Sequence, residues 1–99
     1  MIQLQEKKLN TIIIITTEGC IGCQIMINIV TNAINESKKN IELIVSSHEF
    51  ISKKFLKDNN IKDFPSTIFV SNNEIKGILV GTVNSSVVKD KINKYFCIN

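Results

Sequence analysis

The sequence predicts an α/β domain with the element order β-α-β-α-β-β-α, forming a four-stranded mixed sheet with helices on both faces. Three observations lead there. Short runs rich in β-branched residues (11–16, 41–45 and 66–70) alternate with longer segments of helical periodicity. Two of the strand-like runs are separated only by Asn72-Asn73, a tight-turn pair, so the closing strands form an antiparallel hairpin. No repeat, low-complexity tract or Pro/Gly/Ser-rich linker divides the 99 residues, so a single domain, 1–99, is expected.

The first run, TIIIIT at 11–16, is continuously apolar, as suits a strand covered on both faces. From Ile21 to about Ser37, Ile25, Ile29 and Ala33 recur every four residues with Met26, Val30 and Ile34 beside them, which predicts an amphipathic helix. IELIV at 41–45 reads as a second buried strand. Ser46-Ser47-His48-Glu49 has the form of a capping box, with Ser46 as N-cap of a helix reaching about Asn59. Its expected inner residues are Phe50, Ile51, Phe55 and Leu56. STIFV follows Phe64-Pro65 as the third strand, and IKGILVG follows the turn as the fourth. Asn84 is placed to cap a last helix with Val87, Val88, Ile92 and Phe96 inward.

Composition narrows the function. The net charge is +3, and all twelve basic residues are lysines scattered among acids. Without arginine there is no bidentate fork for phosphates or bases, so no nucleic-acid partner is expected. No apolar run approaches the ~20 residues of a membrane span, and no signal-peptide core is visible near the N-terminus. A cytoplasmic location and no membrane partner are therefore expected; the chain is also expected to be a monomer. In that compartment closely spaced cysteines point to catalysis or metal binding more than to a structural staple.

Such a pair stands in TTEGCIGCQIMINIV, residues 16–30: Cys20 and Cys23, where the first strand gives way to the first helix. Open α/β sheets place their sites at that edge. Near the helix N-cap, unpaired N–H groups and the helix dipole favour negative charge, which would lower the Cys20 thiol pKa and raise its nucleophilicity. Cys23, three residues on, lies on the same helical face and can resolve a mixed disulfide on Cys20. Two other readings stay open at this point. The pair could be inert packing residues, or it could supply half of a metal site. The only other soft ligands are Cys97 and His48, so a metal bound within one chain is not expected, whereas two chains could share one through two such pairs.

Beyond the pair, Asn59-Asn60-Ile61-Lys62-Asp63-Phe64-Pro65-Ser66, then Asn72-Asn73-Glu74 and Val80-Gly81, resemble the distal pattern of the thioredoxin family, and the likeness covers nearly the whole chain. The resemblance implies a thioredoxin-like fold and a protein-disulfide reductase. Cys20 would be the nucleophile, Cys23 the resolving cysteine, and Phe64-Pro65 a cis peptide in a loop that binds substrate backbone. Ile21, Gly22, Phe64 and Gly81 would line the substrate surface. No bound cofactor is implied; electrons would come from a flavoprotein such as thioredoxin reductase and pass to disulfide-containing proteins. The second reading is a thioredoxin-fold binding or sensor module whose cysteines are regulatory or ligate a metal.

The chain also departs from the family. The active-site tryptophan is replaced by Gly19, the buried aspartate by Ile14 and the helix-kinking proline by Asn28, and a trimmed version of the fold without the family's first strand and helix is expected, although Ile2–Leu4 could pair at an edge. No glutaredoxin signature is present. Gly19-Cys20-Ile21-Gly22-Cys23 is similar to the Gly-Cys-Val-Gly-Cys site of thioredoxins from anaerobic Gram-positive bacteria. Ile21-Gly22 is expected to tune the reduction potential, and Gly22→Pro to make it more reducing. Cys97 is expected to be a packing residue, His48 to lie away from the cysteines, and Phe64 either to help cover the space left by the absent tryptophan or to pack in the core.

Overall fold

The computed structural model describes residues 10–96; Cys97 and the suggested pairing of Ile2–Leu4 lie outside them. The elements are β1 (Asn10–Thr16), α1 (Ile21–Ser37), β2 (Ile41–Ser47), a 3-10 turn (His48–Phe50), α2 (Lys53–Asp58), β3 (Ser66–Ser71), β4 (Glu74–Val80) and α3 (Ser85–Tyr95). They form one sheet in the order β2-β1-β3-β4. β1 runs parallel to β2 and antiparallel to β3, and β3 pairs antiparallel with β4. The expected element order and mixed sheet are therefore what the chain adopts.

The period-two geometry of β1 divides the core. Ile12 and Ile14 face Met26, Val30 and Ala33 of α1 and Val88 and Ile92 of α3. Ile15 and Ile13 pack with Ile51, Phe55, Leu56 and Ile61 on the opposite face. Helices α1 and α3 thus cover one side and α2 the other. Phe69 extends the first cluster, its ring tilted against those of Tyr95 and Phe96 at centroid distances of 5.5 and 6.0 Å.

Four expectations on local structure need correction. β2 is not a buried strand: it is the sheet edge, and Ile44 and Val45 are 41% and 44% exposed. The capping box at Ser46 does not form, because β2 continues through Ser47. Ser47 instead caps the 3-10 turn, and α2 is a six-residue helix whose cap is Ser52, its Oγ accepting from the Phe55 N–H at 3.0 Å. Phe50 consequently falls in the turn, 82% exposed, rather than in the core. On α1 the buried stripe is Cys23, Met26, Val30 and Ala33, and Ile25 faces solvent. The four-residue spacing starting at Ile25 begins on the solvent side and reaches the core only at Ala33, whereas the mixed three- and four-residue spacing from Cys23 stays on the core throughout. Finally, Asn84 holds the N-cap position of α3 without a side-chain hydrogen bond.

Asn72 and Asn73 both take positive φ, 53° and 66°, as a two-residue hairpin turn requires. No helix among the described residues is long and apolar enough to cross a membrane.

Candidate active site

The site begins where β1 ends. The chain leaves Thr16, turns through Gly19 at φ +66°, and enters α1 at Ile21 with Cys20 as N-cap in extended conformation (φ −103°, ψ 103°). The Cys23 N–H donates to Cys20 Sγ at 3.0 Å and to the Cys20 carbonyl at 3.2 Å. A cysteine sulfur therefore does what a serine or aspartate oxygen does at other helix starts, satisfying an N–H that the helix leaves free. Cys20 and Cys23 form a disulfide with their Cα atoms 5.2 Å apart. Its halves are unequal: Cys23 is 2% exposed, packed beneath the helix, whereas Cys20 is only half-buried.

A second segment meets this turn. The Phe64-Pro65 peptide is cis, and Pro65 is buried. The Pro65 carbonyl accepts from the Gly81 N–H at 2.7 Å, which ties the start of β3 to the end of β4; Gly81 makes the bend at φ +83°. The next residue, Thr82, donates from Oγ1 to the Gly22 carbonyl at 3.4 Å. The approach is close at Gly22: a Cβ there would lie 2.8 Å from Thr82 Oγ1, which would have to move aside, and in ordinary contact with Pro65 Cδ at 3.7 Å. Cys20, Gly22, Cys23, Pro65 and Gly81 are thus gathered into one cluster, and Ile21 projects from its rim at 77% exposure.

Phe64 points elsewhere. Its ring stacks on His48 at 5.0 Å between centroids, 20° from parallel, and packs into the α2-side cluster. It does not cover the cysteines. His48, expected in the first turn of a helix, belongs to the 3-10 turn and buttresses the loop that presents Pro65. The space beside the cysteines is an open cavity of about 420 Å³ lined by Thr16, Thr17, Gly19, Cys20, Ile21, Cys23, Gln24, Ile27 and Val45. Thr82 and the cavity walls were not singled out from sequence. Val45 reads there as part of a buried strand, Ile27 carries no signal of its own, and only the absence of a side chain at Gly19 points to an uncovered disulfide.

No protein-family model and no curated protein matches the chain. Solved structures do. Mitochondrial thioredoxin 3 from Saccharomyces cerevisiae, in its oxidized form, superposes with a TM-score of 0.71 at 15% identity, over 89% of this chain and 80% of that one. Thioredoxin f2 from Chlamydomonas reinhardtii gives 0.73 at 14% identity, over 96% and 86%. A mutant thioredoxin from Halobacterium salinarum gives 0.72 at 14%, over 89% and 75%. The chain has the thioredoxin fold.

Within that thioredoxin fold the strand leading to the disulfide carries no acid: Ile14 is wholly buried under α1. Its neighbour across the β1–β3 ladder is Thr67, also wholly buried, whose hydroxyl has no hydrogen-bond partner. Among the described residues no three His, Cys, Asp or Glu side chains cluster as a metal would need.

Proposed function

We propose that this chain is a thioredoxin-type thiol–disulfide oxidoreductase, which reduces protein disulfides through Cys20 and Cys23. One observation carries the reading: a disulfide caps the N-terminus of α1 with one sulfur accessible and the other buried, beside the loop of Pro65. In the reduced protein the Cys23 N–H and the start of α1 favour negative charge on Cys20 Sγ. That thiolate attacks a substrate disulfide, forming a mixed disulfide and releasing the first substrate thiolate. Cys23 then attacks Cys20 Sγ, which restores the intramolecular disulfide and releases the second. Burial of Cys23 keeps it from competing for external disulfides, so the two roles follow from exposure.

The substrate chain docks in this reading along the Pro65 loop, flanked by Ile21, Gly22 and Gly81, with Phe64 supporting the loop from behind through His48. Re-reduction by a flavoprotein such as thioredoxin reductase completes the cycle and needs no group bound to this chain. A reducing cytoplasm suits a disulfide that opens at every turnover.

Insulin reduction by dithiothreitol tests the proposal. The wild-type chain should accelerate it, Cys20→Ser should abolish the acceleration, and Cys23→Ser should accumulate a mixed disulfide on Cys20 that trapping recovers with its protein partners. A wild-type rate equal to that of dithiothreitol alone would refute it.

A further inference from the structure

Cys20 and Cys23 both belong to the lining of the cavity of about 420 Å³, a volume within the range of small-molecule sites, and Cys20 is the more exposed of the two. None of its nine lining residues carries a charge. The walls are apolar at Ile21, Ile27 and Val45, with Thr17 and Gln24 as polar points, and Glu18 in the adjoining loop is the nearest ionisable residue in sequence to Gly19. Gly19 leaves the mouth open, since a Cβ there would meet nothing within 4 Å. A protein segment docked along Pro65 meets this space only at Cys20 and Ile21; the walls at Thr17, Gln24, Ile27 and Val45 lie beyond it, and neither Pro65 nor Gly81 lines the cavity.

We infer that this cavity is a subsite for uncharged, low-molecular-weight disulfides, which the same cysteine pair reduces; the inference rests on the dithiol chemistry proposed above. Charge selects the class. An anionic disulfide such as oxidised glutathione would bring carboxylates against apolar walls without a cation to pair them, an unfavourable transfer. A neutral alkyl disulfide loses little hydration and gains apolar contact. For a ligand RSSR the steps balance. The Cys20 thiolate attacks one ligand sulfur, breaking the ligand S–S bond, forming Cys20–S–S–R and releasing RS⁻. The Cys23 thiolate then attacks Cys20 Sγ, forming the protein disulfide and releasing the second RS⁻. The ligand gains the two electrons that the protein dithiol loses, and the released thiolates take up protons from the cysteines and solvent.

The test uses full-length protein reduced beforehand and freed of reductant, with single-turnover rates read by acid quench and mass spectrometry. Bis(2-hydroxyethyl) disulfide, oxidised glutathione and insulin are the three oxidants. Each rate is divided by that oxidant's own rate with dithiothreitol. The neutral disulfide should then exceed oxidised glutathione at least tenfold. Val45→Trp, from the sheet wall, and Gln24→Trp, from the helix wall, each narrow the cavity and should lower the ratio of neutral-disulfide rate to insulin rate about tenfold. Thermal unfolding verifies that the variants fold, and a fall in either ratio supports the subsite. Glutathione reacting as fast as the neutral disulfide, or ratios unchanged in both variants, would overturn it. A wild-type chain that reduces neither insulin nor the small disulfide overturns the dithiol reading itself, which is a different result.

Discussion

The two faces of the sheet are built from the same strand and are packed very differently. β1 sends Ile12 and Ile14 to one side and Ile13 and Ile15 to the other, isoleucine against isoleucine. On the α1/α3 side a 17-residue and an 11-residue helix seal a cluster in which Met26, Val30, Val88, Ile92 and Phe96 are at most 1% exposed. On the other side a six-residue helix and one 3-10 turn leave Ile13, Phe55 and Phe64 half-buried. The difference lies in the cover, not in the strand. It suits the site, since α1 packs on the sealed face and keeps Cys23 buried, while the Pro65 loop is backed by the thinner one.

Truncating neighbours on β1 measures this contrast most directly. Ile14→Ala should lose about 2–5 kcal/mol, because the sealed cluster cannot collapse into the cavity. Ile13→Ala should lose roughly 1–2 kcal/mol, since its side chain keeps part of its hydration in the folded state. At about 4–8 °C per kcal/mol for a domain of this size, thermal melts separate the two clearly. Equal losses would break the comparison.

The sealed face has one flaw, the orphan hydroxyl of Thr67 opposite Ile14. Thr67→Val exchanges it for a methyl group of similar size and should raise stability by roughly 1 kcal/mol, read by urea unfolding. A loss instead would mean that the hydroxyl has a partner in solution, and the face would be more polar than its packing suggests.

The sequence disclosed the sealed face better than the thin one. TIIIIT, the long periodic segment of α1 and the Asn72-Asn73 hairpin are strong local signals, and the sheet followed from their order. IELIV is apolar enough to read as a buried strand, yet β2 is an edge; edge position depends on which strand pairs with β1 on its other side, which no local pattern encodes. Ser46-x-x-Glu49 fits a capping box as well as Ser52 fits a plain N-cap, and pairing of β2 with β1 as far as Ser47 decided between them. At the site, the cysteines and the Phe64-Pro65 loop were visible as motifs. Thr82 was not, because its closeness to Gly22 spans 60 positions and exists only in the folded chain.

That long-range contact sharpens the expectation for Gly22, where the start of α1 meets the loop between β4 and α3. A side chain at Gly22 must displace Thr82 Oγ1 before it can act on the disulfide. Gly22→Pro should therefore shift the reduction potential differently in the wild-type and Thr82→Ala backgrounds. Residues in contact couple by at least about 0.5 kcal/mol, which for a two-electron couple is on the order of 10 mV. Equilibration of the four proteins against a glutathione buffer gives the coupling. Additive shifts would make Thr82 a bystander and return the tuning to the Ile21-Gly22 dipeptide alone.

The smallest effect is expected at the most conspicuous residue of the thin face. Phe50 is 82% exposed at the lip of an open groove formed with Ile13, Ile15, Ile51, Phe55 and Ile68. An aromatic ring in that position gains little by folding, so Phe50→Ser should change stability by less than about 0.5 kcal/mol. It should also leave insulin reduction unaltered, because Phe50 belongs to neither the cysteine turn nor the Pro65 loop. A loss above about 1 kcal/mol in urea unfolding would show the ring lying down over Ile13 and Ile68 in solution. The thin face would then owe its cover to a side chain rather than to a helix, and its contrast with the α1/α3 side would shrink accordingly.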